Sequence, residues 1–177
     1  MTLGKLLEEN RDAIVRKWFE DALATYSGDS SALFKRQKDP FANPVGHSLR
    51  VGTRAIFDAL LDGMDAEKIR EQLREIVKIR AVQDMSAPQA VGFVFELKQA
   101  IRMALGEAAR QPQCLLELER IDGHVDQIAL LAFDLFVESR ERLCELRINE
   151  VKRRVSWVMD KMSARGFDPE LAQVDPE

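Results

Sequence analysis

The sequence predicts an all-α fold, a single helical bundle finished by a long C-terminal helix. Three observations carry this expectation. Apolar residues recur at spacings of three and four along most of the chain, no stretch alternates convincingly with period two, and several helical runs open on a capping residue or close on glycine or proline. With 177 residues and 20.1 kDa the chain suffices for one well-buried core and is short for two. Its 46% hydrophobic and 32% charged residues are globular rather than disordered composition.

Thr2 can cap a first helix to about Tyr26, with Leu3, Leu6, Leu7, Ile14, Trp18, Ala22 and Leu23 on its inner side. Ser27-Gly28-Asp29-Ser30 stops it, and Ser30 can cap a short turn through Leu33 and Phe34. The loop Lys38-Asp39-Pro40-Phe41-Ala42-Asn43-Pro44 follows. Pro40 forces Asp39 towards an extended conformation, and Asn43 before Pro44 combines a side-chain acceptor with a residue that needs no amide donor. The second helix carries Val45, Leu49, Gly52, Ile56 and Leu60 on one face and ends at Gly63, a natural left-handed cap. Gly52 inside it marks a close helix–helix approach, or else is simply tolerated there.

Asp65 caps a third helix to about Val82, with Ile69, Leu73, Ile76 and Val77 inward. Ser86 with Gln89 is a capping box opening a fourth helix through Val91, Phe93, Val94, Phe95, Leu97, Ile101 and Leu105. That helix is apolar on more than one face at its start and is expected at the centre of the bundle. After Gln111-Pro112-Gln113 one helical pattern runs over about 113–164, weakest at Gly123. One domain over 1–166 and a frayed tail at 167–177 are therefore expected.

The last helix changes character along its length. Over 125–137, Ile128, Leu130, Leu131, Phe133, Leu135 and Phe136 point all round it, the pattern of a segment buried on most sides. From Cys144 the breadth narrows to Cys144, Ile148, Val151, Val155, Val158 and Met162, a heptad seam of nearly three repeats. Such a seam either pairs with a partner, most simply the same helix of a second chain, or folds back on its own bundle. The flanking charges do not decide: Arg140 would meet Glu145 of a parallel partner, but Arg147 would meet Lys152. Leu146, Trp157 and Met159 lie off the seam and favour a broad interface over a bare two-helix coil.

Several functions are disfavoured. A net charge of −4 and a pI near 5.4 argue against nucleic-acid binding. The basic residues from Arg140 to Arg154 are diluted by Glu138, Glu141, Glu145 and Glu150, as on a solvated helix face. The longest apolar run, 128–133, is too short to span a bilayer, and Glu8, Glu9 and Asp12 fall where a secretory signal would be apolar. A cytoplasmic protein without membrane insertion is expected. Cys114 and Cys144 form neither a disulfide framework nor a zinc site.

No phosphate loop, nucleophile elbow, metal-ligand pair or redox cysteine pair occurs, so no catalytic residue, metal or cofactor is expected. A globin-type haem site needs separate helices beyond its proximal histidine. After His124 the helical pattern runs unbroken to Gly166, and His47 sits in a first turn with Arg50 close by, so neither suits haem. Glu71 and Glu75 share a face, with Arg74 and Lys78 three residues after each, a pattern of salt-bridged surface charge rather than acid–base catalysis.

The stretches Arg36-Gln37-Lys38-Asp39-Pro40-Phe41-Ala42-Asn43-Pro44-Val45-Gly46-His47-Ser48-Leu49 and Ile79-Arg80-Ala81-Val82-Gln83-Asp84, with Ser86 and Gln89-Ala90-Val91-Gly92-Phe93-Val94-Phe95, resemble the RsbRD N-terminal domain family. Leu6-Leu7-Glu8-Glu9-Asn10-Arg11-Asp12-Ala13-Ile14-Val15 with Trp18 resembles its opening helix, so the similarity covers nearly the whole chain. The resemblance implies a globin-like domain without haem, pairing as a homodimer and passing a signal along its terminal helix, as in the co-antagonist sensors of the bacterial stressosome. It supplies no catalytic residue and no ligand. The chain ends after that helix, so no STAS domain is expected to follow, and RsbT-type kinase antagonism does not carry over.

Two function classes follow from these readings. One is a dimeric, non-catalytic sensor or regulatory module, with a possible regulatory protein partner, acting through Cys144, Ile148, Val151, Val155, Val158 and Met162. The other is a small-molecule-binding or scaffold protein serving another complex without signal output.

Overall fold

The structure, a computed structural model, describes residues 2–26, 32, 34–37 and 39–164. The elements are α1 (Leu3–Glu9), α2 (Arg11–Ala24), α3 (Pro44–Leu61), α4 (Ala66–Val82), α5 (Ala87–Val91), a 3-10 turn (Gly92–Val94), α6 (Glu96–Leu105), a second 3-10 turn (Gly106–Arg110) and α7 (Pro112–Ala164). No strand occurs among the described residues. No helix there is long and apolar enough to cross a membrane. Packing divides the chain into two compact units, Met1–Ser139 and Arg140–Glu177. The expected stop at Ser27-Gly28-Asp29-Ser30 and the tail at 167–177 lie outside the described residues.

Within the first unit α3 and α4 form an antiparallel hairpin with an extensive mutual contact, and α2 lies against both α3 and α6. The hairpin turn is a Schellman cap: Gly63 takes φ +92°, and the Met64 amide reaches back to the Ala59 carbonyl at 2.9 Å. Gly52 lets the two helices close, since a Cβ there would come within 2.6 Å of Ile76 Cδ1. The predicted inward residues Leu49, Ile56, Leu60, Ile69, Leu73, Ile76 and Val77 are all buried. Asp65 caps α4 by accepting from the Lys68 amide at 3.2 Å. That bond stabilises the carboxylate and holds Asp65 below the ordinary aspartate pKa.

The start of α3 is built on Asn43, which is buried. Its Oδ1 accepts from the Gly46 amide at 2.8 Å, while its Nδ2 donates to the carbonyls of Phe34 at 2.8 Å and Gln37 at 2.7 Å. One side chain thus caps a helix and ties it to the preceding segment. Gly46 belongs to the same device, because a Cβ there would lie 2.2 Å from Asn43 Nδ2. Asp39 Oδ1 accepts from the Phe41 amide at 3.0 Å, an Asx turn that leaves the Phe41 ring almost wholly exposed.

Two predicted helices are interrupted. The first divides at Asn10, whose φ of −98° and ψ of 8° leave the helical region. Its Nδ2 donates to the Leu6 carbonyl at 2.8 Å, so the side chain and the backbone share one acceptor there. The fourth tightens into the 3-10 turn at Gly92–Val94, for a reason set out below. Phe95, expected inside, is exposed.

α7 opens at Pro112 as predicted and passes Gly123 without a break. In the first unit it buries Cys114, Leu118, Val125, Ile128, Leu135 and Phe136. Lys98–Asp126 and Arg102–Asp122 ion pairs join it to α6. The described part of the second unit is its helix over 140–164, roughly 37 Å long at 1.5 Å per residue.

Candidate functional site

The residues singled out as an interface all lie in the second unit. Ile148, Val151, Val155 and Val158 are 50%, 59%, 55% and 45% exposed. Cys144 is exposed and Met162 half-buried. Leu146, Trp157 and Met159, off the seam, are exposed too, and Lys161 stands 4.2 Å from the Trp157 ring centre. The rest of the surface is charged, with Arg154 paired to Glu150 one turn back. An apolar stripe thus faces outward among ions.

In the first unit the all-round apolar segment of α7 is buried on one side only. Leu130, Phe133 and Val137 are exposed at spacings of three and four, as are Leu115 and Leu116 near the helix start. The apolar breadth read as burial on most sides is therefore a second uncovered surface within this chain.

The residues considered for chemistry are dispersed. His47 is exposed in the first turn of α3, and His124 is half-buried within unbroken α7. No group of three potential metal ligands occurs among the described residues. Glu71 and Glu75 are exposed as surface charge, but neither forms the anticipated ion pair with Arg74 or Lys78 among the described residues. Glu96 lies in the first turn of α6, where a carboxylate favours the helix dipole.

The feature that sequence reading missed is a polar knot at the centre of the first unit. Arg80, in the last turn of α4, is 0% exposed. Its Nη1 donates to the carbonyls of Gln89 at 3.0 Å and Ala90 at 3.3 Å, and its Nη2 to that of Ala22 at 3.0 Å. Its guanidinium carbon lies 4.5 Å from the Phe93 ring centre and 5.3 Å from that of Tyr26. Burial pulls the guanidinium below its ordinary pKa, and burial pushes the Tyr26 phenol up against the opposing pull of the Arg80 charge. Beside it the Trp18 indole donates to the Phe93 carbonyl at 2.6 Å.

These donors explain the break in the fourth predicted helix. In a continuous α-helix the carbonyls of Gln89, Ala90 and Phe93 would accept from amides four residues on. Here each accepts from a side chain of another element, and the backbone around and just after them turns with three-residue bonds, Phe95 to Gly92 and Lys98 to Phe95, both 3.1 Å. The signal available in the sequence was spacing. Arg80 falls three and four positions after Val77 and Ile76, on the buried face of α4.

A pocket of about 550 Å³ lies between α2, α3 and the segment preceding α3, lined by Asp12, Val15, Arg16, Phe19, Glu20, Lys35, Arg50 and Arg54. Arg54 pairs with Asp12 at 2.7 Å and Lys35 with Glu20 at 3.3 Å. Arg50 lies 5.0 Å over the Phe19 ring. Farther along the same helix pair Arg11 grips Asp58 through two bonds, which raise the Arg11 pKa.

An all-α domain with capped helices, a buried arginine knot and a long, outwardly apolar terminal helix is the kind of protein these features define. The profile of the RsbT co-antagonist protein rsbRD N-terminal domain matches residues 12–151, and the chain belongs to that family of stressosome-type regulatory domains. Comparison with curated proteins and with solved structures gave no match. The matched span runs from Asp12 in the first turn of α2 through α6, with the knot and the pocket, and along α7 as far as Val151.

Proposed function

We propose that the protein is a non-catalytic, cytoplasmic regulatory sensor that works as a homodimer, pairing and signalling through Cys144, Ile148, Val151, Val155, Val158 and Met162. The observation that carries this reading is the exposure of the seam: four β-branched side chains, about half uncovered, line one face of a helix in a charged surround. Family membership supports a regulatory role rather than an enzymatic one.

Magnitudes favour a broad interface. Covering the exposed half of a Val or Ile side chain is worth about 1 kcal/mol. The four seam residues of each chain then give roughly 8 kcal/mol for a pair, against an association cost of at least 4 kcal/mol. The seam alone would hold the pair weakly, and burial of Leu146, Trp157 and Met159 supplies the remainder.

Val151→Glu is the test. In a parallel pair it sets two carboxylates in one desolvated seam, a cost of several kcal/mol. Light scattering should show the wild type as a dimer and the variant as a folded monomer, with melting temperature depending on concentration only in the wild type. A wild type that is monomeric at all accessible concentrations, or a variant that stays dimeric, refutes the reading.

A further inference from the structure

The pocket between α2 and α3 has a charge imbalance that the fold does not use. Four cationic side chains and two carboxylates line it, and both carboxylates are already engaged, Asp12 by Arg54 and Glu20 by Lys35. Among the described residues neither Arg16 nor Arg50 forms an ion pair with a carboxylate, and Arg50 lies over the Phe19 ring. Val15 and Phe19 are buried and form an apolar floor beneath these groups. Two guanidinium forks above an aliphatic and an aromatic side chain, within a volume ordinary for a small-ligand site, match one kind of molecule.

We propose that this pocket binds a small organic carboxylate with an apolar body, its carboxylate held by Arg16 and Arg50 and its body resting on Val15 and Phe19. A hydrated inorganic anion would leave the apolar floor uncovered, and a neutral apolar molecule would leave both guanidinium groups without an anionic partner. The Phe19 ring is an electrostatic partner for Arg50 but accepts none of its guanidinium N–H bonds in the way a carboxylate does. The proposal gives the sensor reading a ligand class and rests on that reading for its biological meaning, but the binding itself needs no pairing.

Calorimetric titration with benzoate, phenylacetate and hexanoate tests it, with inorganic phosphate and benzyl alcohol as controls. At least one carboxylate should bind the wild type at millimolar or lower concentration, at least tenfold more tightly than either control. The Arg16→Gln/Arg50→Gln double variant should lose at least tenfold in that affinity, and its circular dichroism and melting temperature establish that it remains folded. Phe19→Leu, which keeps an apolar floor, should bind aromatic carboxylates more weakly than the wild type while sparing hexanoate. Absence of binding by all three carboxylates, equal binding of phosphate, or unchanged affinity in the double variant overturns the proposal. Repeating the titration in Val151→Glu separates the two ideas: binding retained in a monomer leaves the site standing even where pairing fails.

Discussion

Replacing Arg80 by methionine tests whether the buried guanidinium holds the first unit together. Methionine keeps the unbranched stem but stops short of the guanidinium, so the effect reports the hydrogen bonds, the charge and a small cavity together. Three carbonyls, those of Ala22, Gln89 and Ala90, lose their donor. Each buried acceptor left without a partner costs about 1–3 kcal/mol. The ring contacts with Phe93 and Tyr26 add ~1 kcal/mol. Against this, the variant no longer buries a cation, a gain of several kcal/mol. Ala22 keeps a second donor, the Thr25 hydroxyl at 2.8 Å, which reduces its share of the loss. The balance is a net loss of about 3 kcal/mol. For a chain of this length that lowers the melting temperature by roughly 6–12 °C. Denaturant unfolding at constant m checks the free energy, and Arg80→Lys, which keeps the charge without the planar fork, should recover less than half of it. A methionine variant as stable as the wild type, or more so, would show that the charge costs more than its bonds return, and the knot would have to be read as a device for something other than stability.

Asn43→Ala should lose about 2–3 kcal/mol, more than an ordinary cap, because its buried amide serves the Gly46 amide and two carbonyls together; an unchanged melting temperature would refute this. Tyr26 is the only tyrosine, so phenolate absorbance follows it directly, and its native titration should lie above the ordinary value near 10. Because the folded-state pKa is raised, the contribution is complete below the unfolded value and is lost as pH rises through the folded one, so stability should fall above about pH 10; a native midpoint at or below that of a denatured control would contradict it.

What could be read from the sequence was what local chemistry decides. Asn43-Pro44, Asp65, Gly63 and Pro112 mark helix ends in the structure because a cap, a left-handed residue or a missing donor acts on its own neighbours. The internal breaks were hidden because their causes are distant. The Trp18 indole acts on a carbonyl 75 positions away, and Arg80 on one 58 positions away. A cation in the last turn of a helix ordinarily answers to the helix dipole, and only tertiary packing buries Arg80. The apolar breadth of α7 over 125–137 misled for a related reason. Periodicity shows that surface must be covered, but not whether this chain or another covers it. The seam at 144–162 presented the same ambiguity, and there both alternatives were visible. The pocket had no signature at all, since Arg16 and Arg50 are surface-type residues until α2 and α3 pack side by side.

Helix α2 joins the knot to the pocket. Arg16, Phe19 and Glu20 line the pocket, while Trp18 and Ala22, on the same two turns, bind the donors and acceptors of the knot. The helix therefore cannot shift towards a ligand without lengthening the Trp18–Phe93 bond or moving the Ala22 carbonyl away from Arg80. Both bonds are buried, so neither group can turn to water instead, and each resists displacement more strongly than a surface contact would. The other side of the knot is the 3-10 turn and α6, and α6 holds Asp122 and Asp126 of α7 through Arg102 and Lys98. A carboxylate held by Arg16 and Arg50, as proposed, would have a mechanical route from α2 through side-chain hydrogen bonds to α6, and through two ion pairs to the first-unit part of α7. The weakest links on that route are the exposed Lys98 and Arg102 pairs, worth only about 0–1 kcal/mol each, so the buried bonds of Trp18 and Arg80 would carry movement as far as α6 and the ion pairs would limit how much of it reaches α7.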